Sequence, residues 1–239
     1  MAQPAVCNPR QFAAKKRYLV SKRCLDICVA VCMLVFLAPL MGLIALAIKL
    51  DSRGPVIFKQ ERIGLRQRLA DRRAVWEISP FVCYKFRTMF HSASDNPHRA
   101  FIRAFIANDQ DEMAELQGGD SQVRKLVNDP RITRVGHILR NSSLDELPQL
   151  WNVLKGDMSV VGPRPPLPYE VELYQAWHWR RLDTLPGLTG WWQVTARSAA
   201  DFDDMVRLDI WYIEHQSLWL DFKILLMTPW AVVRRKGAC

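Results

Sequence analysis

Asp145 and Glu146 are adjacent carboxylates within NSSLDELPQLWNVLKGDMSVVGPRP, residues 141–165. Such a pair can supply a nucleophile, do acid–base work or help hold a divalent cation. Attack of an aspartate on phosphorus requires that arginine, lysine or a metal ion cancel the repulsion between anions. Arg131, Arg134 and Arg140 lie just upstream of the pair, and Arg164 and Arg197 lie downstream. Arg164 stands between Pro163 and Pro165, whose rings restrict the backbone on both sides. A guanidinium held that way suits bidentate contact with phosphate. Glu146 could help hold a cation, because Mg²⁺ favours hard oxygen ligands and substrate phosphates.

A purely structural reading of the same residues is also strong. Ser143 and Glu146 have the spacing of a capping box. Leu147, Leu150, Trp151 and Leu154 follow at helical spacing, which predicts a buried helix face starting beside the carboxylates. Acidic residues in a first turn also complement the helix dipole. The sequence has no G-x-G-x-x-G, Walker A, H-E-x-x-H or G-x-S-x-G motif, and its five histidines show no metal-ligand spacing.

The elements around the pair point to a membrane. From Ile27 to Ile48 no residue is charged, and as a straight helix the run would extend roughly 33 Å. It is too long for a cleavable signal peptide and lacks a small-residue cleavage site. Lys22 and Arg23 precede it, Lys49 and Arg53 follow, and further basic residues flank both sides. Positive charge at both ends favours keeping both on the cytoplasmic side, which one straight span cannot do. Pro39, near the middle, removes a helix hydrogen bond. The expectation is a re-entrant helical hairpin over residues 21–50, broken near Pro39, after a basic arm over 1–20.

The net charge of +9 fits an anionic leaflet and phosphate-bearing ligands; no nucleic-acid motif accompanies it. Cys24, Cys28 and Cys32 recur every four residues as small packing residues, and all six cysteines suit a reducing compartment. A turn and short strand are predicted within SRGPVIFKQERIG, residues 52–64, and a second strand over 81–89, joined by a charged surface segment. A helix is expected near 98–109, with Phe101, Ile102, Phe105 and Ile106 on one stripe, inside a module over 92–127. The C-terminal SLWLDFKILLMTPWAVV is apolar but interrupted, and reads as an amphipathic docked helix. Trp211, Trp219 and Trp230 suit a headgroup boundary, or equally ordinary packing.

Lys22-Arg23 with Asp26, IKLDSRGPVIFKQERIG, YKFRTM, the stretch from Asp129 to Pro165, LPGLTGWWQVTARS and LDIWYIEHQSLWLDFKILLMT occur in one order. In that order they resemble the bacterial sugar transferases, the polyprenyl-phosphate sugar-1-phosphate transferases or monotopic phosphoglycosyl transferases, from Lys22 to Gly237. The resemblance implies an α+β fold, with a re-entrant membrane helix hairpin and a mostly helical cytoplasmic catalytic domain over 51–239. That domain would carry a small β element and amphipathic interfacial helices. It implies that Asp145 attacks the sugar-linked phosphorus of a UDP-sugar and releases UMP. A polyprenyl phosphate, such as undecaprenyl phosphate, would then take the phosphosugar.

By the same resemblance Glu146 is the Mg²⁺-linked partner, and Lys85, Arg140, Arg164 and Arg197 hold phosphate or nucleotide. Asp209 is a supporting acid, paired with Arg197, and Lys22, Arg23 and Pro39 lie at the lipid headgroups. The implied setting is the cytoplasmic face of a bacterial inner membrane, initiating an exopolysaccharide, O-antigen or glycoconjugate. A homodimer is compatible with the resemblance, and the sugar is not specified. Ala38-Pro39 departs from the family's Ser-Pro, and the segment from Gly64 to Phe81 is longer than the family pattern. Two rivals remain at this level: a diphosphatase using the same dyad with water, and a non-catalytic scaffold binding anionic lipid.

Overall fold

The long apolar run lies within one helix, α1 (Lys16–Asp51), of 36 residues. The computed structural model describes residues 15–70, 73–91, 96–116, 129–196 and 200–233. Most of the expected basic arm therefore lies outside the described residues, while α1 itself starts at Lys16 rather than near residue 21. The chain is helical on both sides of Pro39 and through it, and the proline ring removes one intrahelical hydrogen bond there. Ala30, Ile44 and Ile48 are buried in the main core, and Met33, Leu34, Leu37 and Met41 pack against it. Val35, Phe36, Leu43, Leu46 and Leu50 point outward, fully consistent with a lipid-facing side.

Polar contacts tie both ends of α1 to the rest of the chain. Near its start, Lys22 Nζ meets Asp221 Oδ2 at 2.9 Å. Arg23 donates to the carbonyls of Val153 and Leu154, and Asp26 Oδ1 accepts from Ser159 Oγ and the Val160 amide. At the other end Arg87 donates to the carbonyls of Ile48, Ser52 and Arg53. Asp51 Oδ2 accepts from the Val135 amide at 3.1 Å.

An antiparallel hairpin follows, β1 (Ile57–Ala70) with β2 (Arg73–Phe86), registered Ile57↔Phe86 through Ala70↔Arg73. This corrects the expectation of two short strands joined by a charged surface segment. Val75, Trp76 and Ile78 favour extended backbone, and a ladder begun at Ile57 carries the charged residues along with them. The β content of the domain is correspondingly larger than expected. Next come α2 (Asn96–Ala107) and α3 (Gln110–Leu116). The predicted stripe on α2 forms: Phe101 and Phe105 are buried with Met113, Phe202 and Val206, and Ile102 and Ile106 pack against that cluster. The end of the 92–127 module lies outside the described residues.

The dyad region follows: α4 (Arg134–Ser142), a 3₁₀ turn (Leu144–Glu146) and α5 (Gln149–Lys155). Then come β3 (Ser159–Val161), α6 (Pro168–Val171), a 3₁₀ turn (His178–Leu182), β4 (Gly187–Thr189) and α7 (Trp191–Thr195). The chain closes with α8 (Phe202–Glu214) and α9 (Leu218–Val233). β3 and β4 pair in parallel. Gly162 and Gly187 let their backbones touch there, since a Cβ on either would collide with the other.

Candidate active site

Asp145 and Glu146 sit on the 3₁₀ turn between α4 and α5. The turn is fixed from upstream by Gly136, whose missing Cβ lets α4 lie directly on the Thr88 carbonyl. Thr133 caps α4, its hydroxyl accepting from the Gly136 amide at 3.0 Å. Ser143 ends α4 in the left-handed region at φ 57° and gives no side-chain cap, so the expected capping box does not form. Glu146 is drawn to cations instead. Downstream, Leu147 and Leu150 are buried as predicted, but Trp151 is 56% exposed. Asn152 steers α5 onto the hairpin by bonding the Tyr84 amide and the Val82 carbonyl.

Glu146 Oε1 accepts from Lys85 Nζ at 2.8 Å and from Arg164 at 3.3 Å. Lys85 comes from β2, and Arg164 from the Pro163–Pro165 loop, which is held by the Gly187 amide bonding the Pro163 carbonyl at 2.8 Å. Arg62, buried on β1, braces the same loop by donating to the Pro165 carbonyl at 2.8 Å and to Gln60. Arg140 donates through Nε to Thr88 Oγ1 at 2.9 Å. Asp145 makes no hydrogen bond or ion pair among the described residues, yet it lines a cleft of about 970 Å³. Lys85, Arg140, Glu146 and Arg164 line that cleft with it.

The two carboxyls are pushed apart electrostatically. Burial works to raise Glu146, but Lys85 and Arg164 outweigh it and lower its pKa to about 2. Asp145 is raised: burial is the main cause, Glu146 adds to it, and Lys85, Arg140 and Arg164 oppose. One carboxylate is therefore spoken for, while its neighbour faces the cleft with its charge only partly compensated.

The remaining sequence-predicted residues fall elsewhere. Asp209 is 1% exposed and pairs with Arg181 at 2.7 Å, a partner sequence reasoning missed; Arg197 lies outside the described residues. Lys22 and Arg23, expected at headgroups, are committed inward, because a buried Asp221 and the carbonyls ending α5 need donors. Pro39 is exposed on α1. Sequence reasoning also missed Arg62 and Thr88 as supports. The only signal for Arg62 was its place two residues from Gln60 on one strand face.

Among the described residues no group of three His, Cys, Asp or Glu could hold a metal. Asp145 and Glu146 nonetheless match what Mg²⁺ takes from proteins: one or two carboxylates, with substrate phosphates completing the shell.

A family model described as "Bacterial sugar transferase" matches residues 17–235. The "Undecaprenyl-phosphate galactose phosphotransferase" of Salmonella typhimurium is 40% identical, over 94% of this chain and 43% of that protein. The "Exopolysaccharide production protein ExoY" of Rhizobium meliloti is 36% identical, over 92% of this chain and 88% of the relative. The "Undecaprenyl-phosphate glucose phosphotransferase" of Komagataeibacter xylinus is 38% identical, over 88% of this chain and 35% of the relative. The chain thus spans less than half the length of the first and third of these.

Proposed function

The chain belongs to the bacterial sugar transferase family, and from that premise we propose that it moves a sugar-1-phosphate from a UDP-sugar to a polyprenyl phosphate. The observation that carries this reading is the Asp145 carboxylate, without a hydrogen-bond or ion-pair partner among the described residues, in a basic cleft beside a Glu146 already clamped by Lys85 and Arg164.

In the first step a carboxylate oxygen of Asp145 attacks the sugar-linked phosphorus. The bond to the bridging oxygen breaks, and UMP leaves with the electron pair. In the second step a phosphate oxygen of the lipid attacks the same phosphorus and restores the carboxylate. Lys85 and Arg164 keep Glu146 ionised and offset the charge that gathers as phosphates approach. Arg140, steadied by Thr88, adds a cation on the side of Asp145. Bound Mg²⁺, held by Asp145 and Glu146, would neutralise diphosphate charge and so ease departure of the nucleotide.

The membrane arrangement follows from α1. Its straight length would be roughly 54 Å, enough to cross a bilayer. A crossing helix separates its ends by the membrane, whereas both ends of α1 bond one body through Arg23 and Asp26 and through Ile48 and Asp51. That supports insertion into one leaflet, with the basic flanks and the cleft on the cytoplasmic side. The cleft would then meet a soluble donor and a lipid acceptor at the same plane. Relatives whose names specify exopolysaccharide production and undecaprenyl phosphate support this assignment.

The test is a UMP-release screen with UDP-galactose, UDP-glucose and N-acetylated UDP-sugars, with and without undecaprenyl phosphate. Lipid-linked sugar and a phosphosugar adduct on Asp145, seen by intact mass, are the expected products. Free sugar phosphate without lipid product would mark a hydrolase, and no turnover with any donor a scaffold.

A further inference from the structure

Resting on the reading of a lipid phosphate as second substrate, we propose that Phe58 and Phe90 form the portal through which the acceptor's isoprenoid leaves the cleft. Both line the cleft, and both are substantially exposed, at 45% and 51%. A uracil ring also stacks on phenyl rings; what favours an isoprenoid chain is that Arg87, three residues from Phe90, grips the carbonyls ending the apolar helix.

Register places Phe58 beside the chemistry. It pairs directly with Lys85 across the hairpin, so the two side chains rise from the same face, with Cβ atoms roughly 5 Å apart. Lys85 in turn bonds Glu146. A phosphate reaching Asp145 therefore has an aromatic ring one cross-strand step away for its first apolar carbons.

Phe90 lies on the path from the dyad to the membrane. Three residues before it, Arg87 grips the carbonyls of Ile48, Ser52 and Arg53 at the end of α1. Between them Thr88 supports Arg140, and the Phe90 amide bonds the Arg131 carbonyl at 2.9 Å. The rim at Phe90 is thus tied by a few residues both to the cationic wall and to the end of the apolar helix. Leu50, near that end, is 80% exposed. The occupant is the acceptor chain rather than a protein, because Arg87 ties this rim to the end of an apolar helix while Lys85, Arg140 and Arg164 line the same cleft.

The full chain in detergent is assayed with farnesyl phosphate and undecaprenyl phosphate, alongside exchange of labelled UMP into UDP-sugar, which needs no acceptor. Phe58→Ser and Phe90→Ser should each raise the acceptor KM roughly ten-fold, the scale of a lost aromatic contact. UMP exchange should be unchanged, which also shows the variants fold. Leucine at either position should restore most of the loss, and Trp219→Ser, an exposed aromatic on α9, should leave the acceptor KM alone. An unchanged acceptor KM overturns the portal. So does a penalty seen only in vesicles and absent with farnesyl phosphate in detergent, since that is membrane anchoring. Wild-type enzyme that forms lipid-linked sugar but exchanges no UMP overturns the covalent step of the proposed function and leaves the acceptor KM to decide the portal; wild-type enzyme that forms no lipid-linked sugar overturns the transferase reading, and the portal with it.

Discussion

Two clusters of ionisable side chains in this protein share one chemistry and differ in closure. Between α1 and α9, Lys22 meets Asp221, whose carboxylate also accepts from Tyr18 and Tyr212. Lys22 and Asp221 are both almost wholly buried. At the dyad, Lys85 and Arg164 meet Glu146, but Asp145 next to it faces a cleft and bonds nothing among the described residues. A closed set of donors and acceptors joins two helices, whereas a set with a carboxylate left over can do chemistry. Burial is common to both, so the residual partner need is what separates them.

The largest effect is expected at the dyad. Asp145→Asn keeps the shape and removes the proposed nucleophile, so UMP release should fall by about 10³-fold or more while the melting temperature stays put. Single-turnover UMP release measures this; activity that survives would reduce Asp145 to a cap. At the closed end the expected pattern is reversed. Lys22→Met leaves Asp221 buried without its cation and should cost about 3–5 kcal/mol of stability. Specific activity of the protein that remains folded should hardly change. Pairing it with Asp221→Leu should recover much of the loss, as denaturant titration in detergent can show.

A smaller effect sharpens the role of geometry. Arg164→Lys retains the charge but loses the planar fork that its proline-bounded loop aims into the site. Transfer should drop about ten-fold, mainly in donor KM, and far less than with Arg164→Ala.

Much of this contrast was legible from residue types, and the part that was not had physical reasons. The carboxylate pair, Arg164 between prolines and the apolar run all announce themselves, because each depends on local spacing. Ser143 to Glu146 had the spacing of a capping box, yet two cations arriving from β2 and the proline loop outbid the backbone for Glu146. Lys22 looked like a headgroup anchor because its partner, Asp221, is remote in sequence. Arg181 as the partner of Asp209 was hidden for the same reason. The long hairpin was missed because charge in its middle outweighed, on paper, the pairing that neighbouring strands enforce.

The finest test concerns how the two carboxyls of the dyad set each other's charge. On the proposed mechanism Asp145 attacks only when ionised, and its pKa is raised by burial and by Glu146 beside it. Donor-step rate should therefore fall as pH drops through a value above the ordinary aspartate range. Glu146, held down to about 2, stays ionised throughout that window and cannot itself produce the fall. Glu146→Gln removes the like charge and frees Lys85 and Arg164 to act on Asp145 alone. Both changes favour the ionised form, so the acid limb should move to lower pH. Lys85→Met acts with the opposite sign: it removes the main group opposing the rise, and the limb should move upward. Single-turnover UMP release across pH for the two variants decides this. Shifts in the same direction would mean that Asp145 does not set the limb, and that the unpaired carboxylate is not where the reaction starts.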